Sequence, residues 1–147
     1  MSSTQQRLFI RQARRKDRQE MKACNERNLA ENYSLQHWET TLNDHPGCSY
    51  VLTDPENKVH GYLLSNEATV LSFAVDEQYR QKRWGTKLFE EFLKHHAHKH
   101  NVTLHVRMSN QVAQRMYAKY GFIVVDELEK YYHNPEENGY LMQRPKE

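Results

Sequence analysis

Cysteine is scarce: Cys24 and Cys48 are the only two among 147 residues, and neither stands in a CxxC pair. That usage gives little support to a disulfide framework or a thiolate zinc site, and it fits a reducing compartment. Long apolar runs are missing as well. No stretch approaches the ~18 consecutive apolar residues of a membrane span. The N-terminal "MSSTQQRLFIRQARRKDRQE" lacks the apolar core of a secretory leader. A soluble, cytoplasmic protein without membrane association is expected. Charge of one sign is also lacking, since 21 Lys and Arg stand against 19 Asp and Glu, a formal net charge of +2. Nucleic-acid binders carry a stronger, clustered basic surplus, so no direct nucleic-acid partner is expected. There are no internal repeats and no low-complexity linkers. The length suits one domain spanning 1–147, large enough to bury a core and to serve as a small enzyme.

What the chain does have is periodicity. Arg7 to Gln12 alternates as a strand, and Met21, Cys24 and Leu29 then recur at helical spacing. A short helix over Leu35 to Leu42 is stopped by the Pro and Gly of "NDHPG". In "SYVLTDPENKVHGYLL" two apolar runs flank the turn "DPENK", which predicts a hairpin. Thr69 to Val75 reads as a strand, Lys87 to His98 as a helix with a Leu88, Phe89, Phe92, Leu93 stripe, and "VTLHVRM" as a strand. Ser109 or Asn110 can cap the next helix, which Ala113, Met116, Tyr117 and Tyr120 line and Gly121 ends. Phe122 to Asp126 and Tyr140 to Gln143 close the chain as strands. The order, roughly βααβββαβαββ, is a mixed α/β domain of α+β type.

One turn invites a function. Arg80, Gln81, Lys82, Arg83, Trp84 and Gly85 lead into Thr86 and a helix. A helix N-terminus leaves amides unpaired and partly positive, which suits an anion, and Arg80, Lys82 and Arg83 are cations that match phosphate. Taken alone, the stretch reads equally as a solvated basic turn.

A second motif decides between them. Arg80-x-x-Arg83-x-Gly85 followed by Asn110-x-x-Ala113-x-x-x-Tyr117-x-x-x-Gly121-Phe122 resembles the core of the GNAT acetyltransferases, whose acetyl-CoA loop reads R/Q-x-x-G-x-G/A. The likeness extends almost end to end and is most similar to the catalytic subunits of NatA-type N-terminal acetyltransferases. "LAENY" looks like their LPENY, "LHVRMSN" like LHVRKSN, and "KYYHNPEENGYLM" like KYYADGEDAYAM. The resemblance implies a central, largely antiparallel sheet flanked by about four helices, with acetyl-CoA as acetyl donor and no metal. It also implies a protein N-terminal peptide as acceptor and an auxiliary subunit as in NatA. Rival readings are a GNAT acting on lysine or a small amine, and a non-catalytic module that binds CoA or docks a partner.

The same resemblance places residues. The pyrophosphate would rest on backbone amides from Gln81 to Thr86, and the pantetheine arm would lie between the strands at Thr69 to Val75 and Val102 to Met108, touching Asn110. Tyr117 falls where GNAT enzymes set a tyrosine near the thioester sulfur. Glu31 matches the glutamate by the substrate amine, and His105 occupies the place of the catalytic histidine of NatE-type enzymes. Amides near Ala74 and Val75 would receive the oxyanion. Leu29, Tyr33, Tyr131 and Tyr132 would receive the peptide, since tyrosines pack on a chain and hydrogen-bond its backbone.

Alternation sets Val102, Leu104 and Val106 on one face of their strand and Thr103, His105 and Arg107 on the other. An α-amine, with a pKa of about 7.7–8.0 against about 10.4 for lysine, asks little of such a base. The chain departs from the family where Arg83 replaces the loop's first glycine and Ala30 the proline of LPENY. It is also shorter between Gly61 and Thr69. If position 83 needs φ > 0, a Cβ is strained there; if φ is negative, the side chain adds a phosphate contact. "KHHAHKH" sets four histidines within six positions at a helix C-terminus, where a solvated end compatible with the helix dipole is expected and no metal is assigned.

Overall fold

The computed structural model describes residues 7–147, so the first six residues of the N-terminal stretch read above lie outside the described residues. Seven strands form one sheet: β1 (Phe9–Gln12), β2 (Tyr50–Thr53), β3 (Val59–Ser65), β4 (Thr69–Val75), β5 (Val102–Arg107), β6 (Ile123–Tyr132) and β7 (Glu137–Arg144). Their spatial order is β1-β2-β3-β4-β5-β7-β6, and every neighbouring pair is antiparallel except β4 with β5. The helices α1 (Arg18–Asn28), α2 (Leu35–Asp44), α3 (Trp84–His96) and α4 (Gln111–Lys119) bury the sheet between them. This is the mixed, mainly antiparallel sheet with four helices that the sequence led us to expect.

Burial explains why β2 and β3 read as continuous apolar runs. Tyr50, Leu52 and Leu63 join Leu88, Phe89 and Phe92 of α3 in one core, while Val51, Tyr62 and Leu64 join Met21 and Trp38 in the other. Strands covered on both faces need apolar residues at every position. The hairpin turn between them closes as an Asx turn, in which Asp54 Oδ1 accepts from the amides of Glu56 (2.9 Å) and Lys58 (3.0 Å).

Helix ends follow local chemistry. Ser34 Oγ caps α2 by accepting from His37 N, and Asn110, rather than Ser109, caps α4 by accepting from Ala113 N at 3.1 Å. Gly121, at φ 89°, turns the chain out of α4. α1 stops one residue before Leu29, which is extended (φ −129°, ψ 151°).

Three expectations are corrected. α3 begins at Trp84, three residues before the expected Lys87, because Arg83 takes the N-cap position with left-handed dihedrals. The first strand begins at Phe9 rather than Arg7. The closing strands are far longer than Phe122 to Asp126 and Tyr140 to Gln143, and they form a hairpin closed by residues 133–136. β6 lies at the sheet edge and is exposed along almost its whole length, so "DELEKYY" carries no buried face for alternation to report.

β4 and β5 make the opening that matters. They pair only at Thr69 with Thr103 and Val70 with Leu104, and then diverge. On its other side β4 pairs Val70 with Ser65 and Ser72 with Leu64, leaving Leu71 over as a bulge beside the gap. Among the described residues no helix is long and apolar enough to cross a membrane.

Candidate active site

The gap between β4 and β5 opens into a cleft of about 670 Å³. Ser72, Phe73, Leu104, Val106 and Tyr117 line it with Leu29, Glu31, Tyr33, His105, Tyr131 and Tyr132; the buried Leu104, Val106 and Tyr117 mark its interior and the exposed His105 and Tyr131 its mouth. Asn110 stands at one side. The structure thus gathers the sequence-predicted residues Glu31, His105, Asn110 and Tyr117 with the four expected peptide contacts. Ala74, Val75 and residues 80–86 do not line this cavity; they are the end of β4, the loop that continues it and the first turn of α3.

That loop is an open cradle of amides. After a one-turn 3-10 segment, Glu77–Tyr79, the chain turns through Gln81 (φ 60°) and Arg83 (φ 67°) into α3. No side chain caps α3, and its first intrahelical bond is Lys87 N to Arg83 O at 3.0 Å. The amides of Trp84, Gly85 and Thr86 are therefore available to an anion. Gly85 has no left-handed φ, and a Cβ there would make ordinary contacts with Phe73 and Val75 at 3.6 and 3.7 Å.

Arg80 behaves differently from the sequence expectation. Its Nε donates to Val75 O at 2.9 Å and its Nη2 to Asn28 Oδ1 at 2.8 Å, so the guanidinium is turned inward to brace the loop. Arg83 resolves as the first of its two alternatives, a positive φ.

Register sorts the amides of β4. Asp76 N donates to His60 O at 2.8 Å, so alternate pairs along β3 and β4 exchange hydrogen bonds, and the Ala74 N–H is spent on Tyr62. The groups of Phe73 and Val75 face the gap instead. Two acceptors on that open edge are already taken: Leu71 O by the Tyr33 hydroxyl at 2.9 Å, and Val75 O by Arg80. Of the two expected oxyanion donors, Val75 N–H is thus the free one.

Tyr117 is buried against Phe89 and Phe122, with ring centroids 5.3 and 6.0 Å away, and its hydroxyl has no hydrogen-bond partner among the described residues. Burial pushes its pKa well above the ordinary 10, so the phenol keeps its proton and can donate it. The Asn110 Oδ1 is engaged in capping, which leaves its Nδ2 to meet a ligand.

At the mouth, His105 is exposed and stacks on Tyr131 at 4.8 Å and 15°. Desolvation, which we assign to the ring face covered by Tyr131, lowers its pKa from 6.5, so the imidazole is neutral at pH 7 and able to accept a proton. Glu31 is not a free carboxylate. Arg107 Nε and Nη2 donate to its Oε1 at 3.1 and 2.5 Å. The same guanidinium donates to Glu137 Oε1 (3.0 Å), Pro135 O (2.9 Å) and His133 O (3.2 Å), and lies 4.6 Å over the Tyr132 ring. All five of its N–H donors are occupied, tying β5, the 29–33 loop and the β6–β7 turn together.

Arg107 was visible in the alternation of β5 only as a neighbour of His105. Two asparagines gave no signal of their own. Asn25, fully buried, donates to Glu31 O (2.9 Å) and accepts from Tyr33 N (3.4 Å), shaping the acceptor loop. Asn28 donates to Asp76 Oδ1 (2.7 Å) and accepts from Arg80, joining the loop of the anion cradle to α1. The "KHHAHKH" histidines scatter. His96 is buried on Tyr50 (3.2 Å), His95 meets Glu91 (3.0 Å) and His100 meets Glu67 (3.6 Å).

The sequence profile of the acetyltransferase (GNAT) family matches residues 9–122. The chain belongs to that family. Among its GNAT relatives, the N-terminal acetyltransferase A complex catalytic subunit ard1 of Schizosaccharomyces pombe is 31% identical over 93% of this chain and 85% of its own length. An N-alpha-acetyltransferase of Saccharolobus solfataricus is also 31% identical, over 92% of each. The crystal structure of Ard1 from Thermoplasma volcanium superposes with a TM-score of 0.84 at 28% identity, covering 95% of this chain and 98% of that one. The resemblance read from the loop and the downstream motif is therefore borne out, as is the GNAT fold.

Proposed function

We propose that this protein is an acetyl-CoA-dependent N-acetyltransferase whose acceptor is the α-amine of a protein N-terminus. The observation that carries the reading is the cleft between the diverging strands, with an unpaired, protonated Tyr117 inside and a neutral His105 at its mouth. The relatives named for N-terminal acetylation span almost the whole chain and support the same acceptor.

The residues fit the donor. Amides from Gln81 to Thr86, without a side-chain cap, suit a pyrophosphate, and the free backbone edge of Phe73 suits an amide-bearing arm such as pantetheine. When bound, acetyl-CoA supplies a thioester whose acetyl group passes to an attacking amine as a thiolate leaves. His105 takes the amine proton, directly or through water. Val75 N–H faces the developing oxyanion from the open edge, and Tyr117 holds a proton for the departing sulfur. Glu31, fixed by Arg107, acts by charge and position on the incoming ammonium rather than as a mobile base. Leu29, Tyr131 and Tyr132 shape the peptide seat, and Tyr33 fastens the acceptor loop to β4. An auxiliary subunit of the NatA kind and a cytoplasmic location complete the proposal.

Incubation with acetyl-CoA and matched peptides, free at the α-amine or only at lysine, tests the acceptor. Label on the α-amine is expected. Label confined to lysine would sink the proposal, and a folded protein that binds no acetyl-CoA in calorimetry would replace it with a docking module.

A further inference from the structure

We infer that the Arg83 side chain is an affinity-determining contact for the phosphate groups of the acetyl donor; this rests on the reading of the cleft and its loop as the donor site. Four cations stand on the loop and first turn of α3: Arg80, Lys82, Arg83 and Lys87. Two are committed within the protein. Arg80 bonds Val75 O and Asn28 Oδ1, and Lys87 Nζ lies 4.4 Å over the Trp84 ring. Lys82 and Arg83 are exposed and make no ion pair or hydrogen bond among the described residues.

Position separates these two. Arg83 is the N-cap of α3 at φ 67° and ψ 9°, dihedrals that strain a residue with a Cβ and leave glycine unstrained. Gln81, at φ 60°, is a second left-handed position in the same turn. Left-handed residues bend successive amides into a concave seat for an anion, and the amides of Trp84, Gly85 and Thr86 continue that seat. An anion held there sits beside the Cα from which the Arg83 side chain starts. A guanidinium matches phosphate oxygens bidentately, so the Arg83 fork, which makes no hydrogen bond or ion pair among the described residues and otherwise acts only by charge on the Tyr120 hydroxyl, adds to what the amides begin. The strained position thus gains a contact that the unstrained residue, glycine, would forgo.

The proposal makes stability and affinity move in opposite directions on one substitution. The full chain and its Arg83→Gly, Arg83→Ala and Arg83→Lys variants are melted without ligand. Each is then titrated with acetyl-CoA and with acetyl-dephospho-CoA at low and high salt. Arg83→Gly should melt higher, by about 2 °C, because the strain is gone while the looser unfolded chain returns part of the gain. It should nevertheless bind acetyl-CoA on the order of tenfold more weakly, the size of one lost charge-assisted bond, with a shallower salt dependence. Arg83→Ala should lose the same affinity without the gain in melting temperature, and Arg83→Lys should keep most of the affinity. An equal loss for both donors assigns the contact to the pyrophosphate, and a loss confined to acetyl-CoA assigns it to the 3′-phosphate; either supports the inference. Wild-type binding with an Arg83→Gly variant that binds as tightly or tighter overturns this inference alone. A folded wild type that binds neither donor overturns the donor site and this contact together.

Discussion

At the scale of single residues, the cleft separates an acid from a base by environment. Tyr117 is enclosed by Phe89 and Phe122, and burial raises its pKa; His105 is exposed but stacked on Tyr131, and desolvation lowers its own. Desolvation disfavours the charged form in each case, so it keeps the phenol protonated and the imidazole unprotonated. Tyr117→Phe should therefore lower kcat by about 10²-fold while leaving the dissociation constant for acetyl-CoA unchanged, since only the proton is removed. Single-turnover kinetics beside calorimetry checks it, and a matching loss of binding would mean that the hydroxyl serves the donor's ground state. For His105 the pH profile is the sharper instrument. Its titration lies below 6.5 and that of a free α-amine near about 7.7–8.0, so kcat/KM should climb through both. His105→Ala should lose the lower limb and keep the upper one. An unchanged lower limb would remove the histidine from the chemistry.

At the scale of elements, the site depends on which loops are fastened to which. Asn28, the last residue of α1, holds Asp76 and Arg80 at the root of the anion cradle, and the acceptor loop begins at the very next residue. Asp76 itself is buried and also bound by Arg27 through both carboxylate oxygens at 2.9 Å. Asn28→Ala would leave Asp76 short of one donor and Arg80 short of one acceptor, destabilising the protein by about 1–3 kcal/mol. It should raise KM for both acetyl-CoA and peptide, because the two loops share this one amide. Urea melts and initial-rate kinetics check the pair of effects, and a KM change for one substrate only would show that the loops are set independently.

The same connections explain what the sequence could tell. β2 and β3 announced themselves because burial on both faces makes them continuous apolar runs, and α3 because burial of one face imposes a period. The α4 cap was legible to within Ser109 or Asn110 because helix termini need particular residues, whereas the anion loop became legible only through its resemblance together with the downstream motif. The saturation of Arg107, the inward turn of Arg80 and the bridging by Asn28 join positions far apart in the chain, so no local pattern carries them. Gly139 belongs with these: a Cβ there would lie 2.8 Å from Tyr132 Cε2, and only the folded hairpin reveals why the position is bare.

At the scale of the whole molecule, these local choices set the response to acid. Two histidines, the buried His96 and the stacked His105, have pKa values pulled below 6.5 by desolvation, so the unfolded chain binds more protons than the folded one as pH falls through that range. Four carboxylates act lower down, among them Glu137, lowered by its hydrogen bonds from Ser109 and Arg107. Burial opposes ionisation of Asp17 and Asp76, but hydrogen bonds from Arg11 and the Arg14 amide to the first, and from Arg27 and Asn28 to the second, outweigh it and lower both pKa values. Asp54 is lowered chiefly by its hydrogen bond to His60 at 2.8 Å. Each folded carboxylate lies below its unfolded value, so its contribution is complete above that value and is lost as pH falls through the folded one. Both sets of groups therefore slope the same way, and no opposing group among those with shifted pKa values compensates. Stability should fall in two stages, a shallow loss beginning near 6.5 and a steeper one below 3.8, the ordinary aspartate value. Urea midpoints measured from neutral pH downward check the order of the stages. A His96→Gln variant should flatten the first stage and leave the second, because His96 packs on Tyr50 and Phe92 far from the carboxylates bound by Arg11 and Arg27. A midpoint that stays constant from neutrality to about pH 4 would show that neither histidine is desolvated in the folded protein as its contacts require.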